Sequence, residues 1–356
     1  MLPKENRAAV FNGPRSITME RLPLVQSNDG SAILKILSCA VCGYDVRVYN
    51  EGHRKVHPPI ILGHEICAET MHPISNLGDG NLILEGTRVA ISPLVPCLKC
   101  YYCASERYNL CNNLQEIGSS VNGGFAEYIK IPLNNIIIDG IVPIPDNITN
   151  EEAALIEPLA CCLNAHLRFK SSHTDRSIII IIGDGPIGLI HLQISKLYGM
   201  KTIVIGKIDY RMDQAKQLGA DIVLLNSNIE DSVRSIMDST NNVGANMIII
   251  ATSNPDALDL ALRIASKDSI ISLFAGMPKT KILSLDANWL HYNEISISGS
   301  FSSTPILMRK AISMVSENKI NLKKIISYTY RLKNIEDAFF ATEKYSSFRS
   351  IIHPSE

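Results

Sequence analysis

From residue 178 onward, short β-branched runs alternate with longer segments at helical spacing, the pattern of strand-helix-strand units feeding a parallel sheet. This predicts strands at 178–182, 202–206, 222–225, 247–251, 270–274 and 295–299. Between the first two, Ile187, Ile190, Ile194 and Leu197 recur at three- and four-residue intervals and Gly199 follows, which predicts an amphipathic helix with a glycine stop. Asn254 and Pro255 read as an N-cap and first helical position ahead of a second stripe, Leu258, Leu262 and Ala265.

The first 150 residues obey a different pattern. Short strands such as Ala32–Leu37, Arg88–Ile91 and Ala126–Ile131 are broken by Pro and Gly, and the loops carry most of the His and Cys. The tail opens with a loop at Ser302–Pro305, continues in a helical stripe (Ile306, Ala311, Met314, Val315) and ends strand-like at Arg349–Ile352. It is expected to pack back on the first domain. The reading is an α/β chain: a mainly β domain from 1–150 and 298–356, and a doubly wound parallel-sheet domain from 151–297.

Composition narrows the function. The 356 residues are 46% hydrophobic and carry 34 Lys and Arg against 35 Asp and Glu, so neither nucleic acid nor an anionic membrane is an expected partner. No signal-peptide core is seen at the amino terminus, and the longest aliphatic run, Ile178–Ile182, is far short of the roughly 20 residues of a membrane span. A cytoplasmic protein is expected. There, the 9 cysteines point to metal or chemistry rather than cross-links.

Gly183-Asp184-Gly185-Pro186-Ile187-Gly188 follows the Ile-rich strand and opens the helix. Glycines there permit a tight turn, backbone approach to a pyrophosphate and close helix-strand packing, so a dinucleotide is expected on that helix N-terminus. At the end of the second strand Gly206 stands where a ribose-binding acid is usual, with Lys207 beside it and Arg211 one helical turn on. That favours NADP(H). The other reading makes Lys207 a solvated charge and gives Asp209 to NAD.

Cys97, Cys100, Cys103 and Cys111 have the spacing C-x2-C-x2-C-x7-C, compact enough for four thiolates to close around a structural zinc ion in a lobe spanning 97–111. A nucleic-acid-binding zinc ribbon is disfavoured, since only Lys99 and Arg107 lie in that loop. A second set, Cys42, His64, Glu65 and Glu157, supplies sulfur, nitrogen and carboxylate donors, the mixed chemistry of a catalytic zinc with an exchangeable position.

Cys42, Gly63-His64-Glu65, the four-cysteine lobe, the segment from Gly123 to Tyr128, Glu157-Pro158-Leu159, the glycine turn and Leu218-Gly219-Ala220-Asp221 occur in the order seen in zinc-dependent medium-chain dehydrogenases. The chain resembles their polyol (sorbitol-type) and threonine dehydrogenase branch. That resemblance implies a GroES-like catalytic domain, a Rossmann domain, an active-site cleft between them and a homodimer or homotetramer. It implies hydride transfer between NAD(P) and a secondary alcohol such as a polyol, sugar derivative or aminocyclitol, with L-threonine or a simple secondary alcohol as the alternative. Cys42 and His64 resemble zinc ligands and Glu157 a third. Glu65 resembles the acid that binds zinc in some members and exchanges with water in others, and Asp45 an acid orienting His64. A non-enzymatic, zinc-independent NADPH sensor should lack one or more of these ligands.

Two positions depart from the family pattern. Tyr44 replaces the usual Ser or Thr of the proton relay, and Arg47 the usual His. Either the Tyr44 phenol, its pKa lowered from about 10 by zinc and Arg47, handles the substrate proton, or Tyr44 shapes the pocket while Glu65 or water does so. Glu106 takes a common glycine place in the lobe, where a positive φ would cost roughly 1 kcal/mol or more.

Overall fold

The computed structural model describes residues 3–24, 29–75, 82–169, 177–225, 228–277 and 285–355. The chain divides into two compact units: Met1–Ala160 with Ser303–Asn318 and Leu322–Glu356, and Cys161–Ser302 with Lys319–Asn321. The first unit thus runs ten residues past the expected 150. The cause is the helix Asn150–Ala154, started by a Thr149–Glu152 capping box and packed on the strands Ala32–Ala40 and Glu65–Thr70. Ser38 Oγ donates to the Asn150 carbonyl at 2.6 Å.

The second unit is a six-stranded parallel sheet in the order Ile222–Leu225, Lys201–Gly206, Ile178–Ile182, Ala245–Ile250, Ala265–Leu273, Ser296–Gly299. All six overlap the expected segments, the fifth starting five residues early at Ala265, and the uninterrupted burial of Ile179 to Ile182 is what a central parallel strand requires. The helix Pro186–Leu197 begins on the glycine turn, with Ile190 and Ile194 of the predicted stripe buried, Ile187 half-buried and Leu197 exposed at its outer end. Ala265 does not extend the preceding helix, which closes at Ile264; it opens the next strand, because its backbone is extended there. The helix itself starts at Asp256, after Asn254 and Pro255, and Asn254 Oδ1 accepts the Asp256 N–H.

In the first unit a seven-stranded sheet runs in the order Ile141–Pro143, Arg88–Ile91, Glu65–Thr70, Ala32–Ala40, Arg349–His353, Ile326–Arg331, with Tyr128–Ile131 also pairing Ala32–Ala40. The tail therefore returns to the first unit, Ile351 pairing Ala40 and Ile352 pairing Cys39. Its helix, Pro305–Ser316, buries Ala311 and Val315 but leaves Ile306 exposed at the first turn.

Candidate active site

Sheet register brings distant residues together. Ala40 pairs with Glu65, so Cys42, just past the end of one strand, meets His64 and Glu65 at the start of its neighbour. His64 is held by a glycine cluster. Gly63 has φ +92°, and the following glycine segment clasps it: Gly124 N–H donates to the Gly63 carbonyl and Phe125 N–H to Leu62, at 2.8 and 3.0 Å. A Cβ on Gly123 would overlap the Gly63 carbonyl, which explains glycine at that contact.

One ligand atom each from Cys42, His64 and Glu65 lies within 4.8 Å of the others. Asp45, fully buried, works in two directions. Its Oδ2 accepts the Cys42 N–H at 2.9 Å, capping the helix Gly43–Glu51, while Oδ1 stands 3.4 Å from His64 Nδ1. That contact leaves His64 Nε2 to face a metal, as metal-bound imidazoles usually require. Burial works to lower the His64 pKa, but the neighbouring Asp45 charge carries it well above its ordinary value.

Glu65 is 1% exposed and ion-paired to Arg349, itself buried, at 2.8 Å. Among the described residues Oε1 is engaged by Arg349, and the buried Oε2 has no hydrogen-bond partner. Burial raises the Glu65 pKa despite Arg349. An orphaned carboxylate oxygen beside a thiol and an imidazole fits a divalent zinc ion, the donor set being that of a catalytic site. Glu157, in the first turn of the helix Ile156–His166, is buried, and its charge also raises the Glu65 pKa. It lies outside the group that converges. The acid meeting Cys42 and His64 is Glu65, because Glu65 is in strand register with Ala40 whereas Glu157 rides on a helix.

The Tyr44 phenol bonds Ser119 Oγ at 2.9 Å and His53 Nδ1 at 3.3 Å. His53 Nδ1 also accepts the Lys55 N–H, which places the ring proton on Nε2. Burial raises the Tyr44 pKa, and Arg47 sits over the ring, 5.9 Å from its centroid, rather than beside the hydroxyl. The lowering expected from Arg47 is not found. Sequence spacing identified Tyr44 but not His53, Ser119 or Arg349, which reach the site through loop and sheet geometry.

The sulfurs of Cys97, Cys100, Cys103 and Cys111 also lie within 4.8 Å of one another, with Cys100 and Cys103 3.5 Å apart, and none of these four is in a disulfide. Backbone N–H groups of Asn112 and Cys103 bring the Cys100 thiol down to about 6, a cradle that favours thiolate. The donor set fits a closed tetrahedral zinc site. Glu106 does adopt a positive φ of 55°, its N–H donating to the Cys103 carbonyl at 3.0 Å. The turn is kept without glycine.

In the second unit the glycine turn is built as the sequence requires. Gly183 has φ +130° and donates its N–H to the Ile205 carbonyl, and a Cβ on Gly188 would overlap the Gly183 carbonyl. Gly185 caps the helix and Pro186 and Ile187 begin it. These residues leave N–H groups at a helix N-terminus for a pyrophosphate. At the second strand end, Gly206 is buried and Lys207 exposed. Arg211 does not project as an exposed cation. It is 4% exposed, its Nε donates to Tyr210 Oη and its guanidinium faces Asp184.

A chain that gathers metal donors in one unit and carries a dinucleotide turn in the other is built as a metal-dependent dehydrogenase. Residues 28–146 match the model of the alcohol dehydrogenase GroES-like domain, and residues 186–317 that of the zinc-binding dehydrogenases. Sorbitol dehydrogenase of Bacillus subtilis (strain 168) is 31% identical over 342 residues, 95% of this chain and 93% of that protein. D-arabitol-phosphate dehydrogenase of Enterococcus avium is 30% identical over 322 residues, 89% and 88% of the two chains. An alcohol dehydrogenase structure from Thermotoga maritima has the same fold, with TM-score 0.89 at 24% identity over 98% of this chain and 99% of that one. The protein belongs to the zinc-dependent medium-chain dehydrogenase family, and it is an oxidoreductase.

Proposed function

We propose that this enzyme moves a hydride between a polar secondary alcohol, of the polyol, sugar-derivative or aminocyclitol kind, and NADP(H), with two zinc ions per chain. The observation that carries this reading is the convergence of Cys42, His64 and Glu65 with one carboxylate oxygen left unpartnered. When bound there, zinc supplies a Lewis acid that polarises the substrate oxygen. Asp45 orients His64, Arg349 holds Glu65, and Glu157 adds negative charge to the same region. Tyr44, whose pKa is raised by burial, serves as a conduit to His53 rather than as a free base. The four-cysteine lobe takes the second, structural ion. Exposed Lys207 beside Gly206 supports NADP(H). The edge strand Ser296–Gly299, with exposed Tyr292 and Phe301 on either side in sequence, supports a homodimer or homotetramer. Among the described residues no helix is long and apolar enough to cross a membrane, in keeping with a cytoplasmic enzyme.

An absorbance screen of polyols, sugar alcohols, aminocyclitols, threonine and simple secondary alcohols with NAD and NADP tests substrate and coenzyme together. Turnover confined to threonine or to simple alcohols would overturn the polyol assignment, and a strong NADH preference the coenzyme one.

A further inference from the structure

Asp184, the second residue of the glycine turn, has a place that neither pyrophosphate binding nor helix capping explains. Its side chain reaches across the end of the neighbouring strand Lys201–Gly206. There Oδ2 accepts the backbone N–H of Lys207 at 2.6 Å and of Ile208 at 2.9 Å. Oδ1 lies 3.8 Å from the Arg211 guanidinium, with both side chains largely buried. A Cβ built on Gly206 would overlap Asp184 Cβ and Oδ2 and the Met212 sulfur. The space a side chain at 206 would fill is already taken. In a nucleotide-binding sheet this strand end is where an acid reads the ribose hydroxyls. Gly206 and Asp184 are therefore one arrangement: the residue at 206 has no side chain because Asp184, together with the Met212 sulfur, fills its place.

The charge of Asp184 is met from the protein side, by two N–H donors and a guanidinium. Lys207, whose backbone it holds, is exposed at the same strand end. We infer that Asp184 is a positioning residue for coenzyme choice: it bars an acid from position 206 and fixes the Lys207–Ile208 backbone so that Lys207 meets a phosphate on the adenosine ribose. Asp184 contacts no reacting atom; it acts through Lys207. This rests on the NADP(H) reading above and deepens it.

The experiment uses the zinc-loaded full-length chain and reads coenzyme binding and melting temperature, independently of turnover. NADPH and NADH are titrated by their own fluorescence into wild type, Asp184→Asn, Asp184→Ala, Gly206→Asp and the Asp184→Gly/Gly206→Asp double variant, with Asp184→Gly as its background. Asp184→Ala should weaken NADPH binding about tenfold with little change for NADH, and Asp184→Asn, which keeps one acceptor oxygen, should lose less. Gly206→Asp should lower the melting temperature by roughly 3–10 °C, a penalty smaller in the Asp184→Gly background, where the new acid should turn the preference toward NADH. Tighter NADPH binding in Asp184→Ala would mean that Asp184 merely repels the phosphate and would overturn the inference. So would an unchanged NADPH-to-NADH ratio, or a Gly206→Asp penalty equal in both backgrounds. A wild type that favours NADH overturns the NADP(H) reading and the role of Lys207, whereas the exclusion of a side chain at 206 is decided separately by the melting temperatures.

Discussion

Arg349 donates to Glu65 Oε1 at 2.8 Å although 284 residues separate them, and it also donates to the Val41 carbonyl at 3.0 Å. The final strand of the chain thus reaches the acid of the candidate zinc site. The pair is almost fully buried, so in the metal-free protein removing the cation leaves the Glu65 carboxylate without its ion pair. Arg349→Met should cost about 3–5 kcal/mol in urea unfolding of the metal-free protein. Adding Glu65→Gln should return much of that loss. A double variant no more stable than Arg349→Met would show that the arginine acts through packing alone.

The cysteine lobe makes a prediction about metal content. Four thiolates would leave a bound ion no open position, so Cys103→Ser should remove about one zinc ion per chain relative to wild type and lower the melting temperature. Elemental analysis reads the first and calorimetry the second. A zinc content unchanged from wild type would remove the four-thiolate assignment.

Tyr44→Phe tests the proton path. Losing the hydroxyl that bonds His53 and Ser119 should reduce kcat for alcohol oxidation about 10²-fold and change its pH profile. His53→Ala should behave alike and regain activity with added imidazole. If the phenol only shapes the pocket, kcat and the profile will stay as in wild type.

A pH dependence of stability follows from His191 in the helix Pro186–Leu197. Burial holds its imidazole down to about 3 from the ordinary 6.5; Nδ1 bonds His166 at 3.1 Å, and among the described residues Nε2 has no hydrogen-bond partner. Below about 6.5 the unfolded chain binds a proton there that the folded chain refuses. Its contribution is therefore complete above that pH and is lost as pH falls toward about 3. His191→Gln should flatten the fall in unfolding free energy between pH 7 and pH 4 by up to one proton. An unchanged slope in denaturant melts would assign the dependence to other groups.

Where chemistry is local along the chain, spacing was enough. The cysteine lobe closes within fifteen residues, 97 to 111, and the glycine turn within six, 183 to 188, so residue types and intervals define both. The β-branched runs likewise placed the parallel strands, since a strand buried on both faces has little choice of composition. Helix ends were less legible: Ala265 suits a helical stripe as well as a strand, and the sheet edge chose the strand.

Only tertiary structure decided how the distant groups meet. The family resemblance made Glu157 the third ligand and Glu65 an exchanging acid, whereas the Ala40–Glu65 register brought Glu65 to Cys42 and His64. Arg349, His53 and Asp184 gained their partners in the same way, across strands and turns that share no sequence interval. The physical reason is that residue type and periodicity encode what each segment can bury or bind, whereas which donor faces which acceptor depends on strand register and side-chain direction, quantities that exist only once the chain has packed.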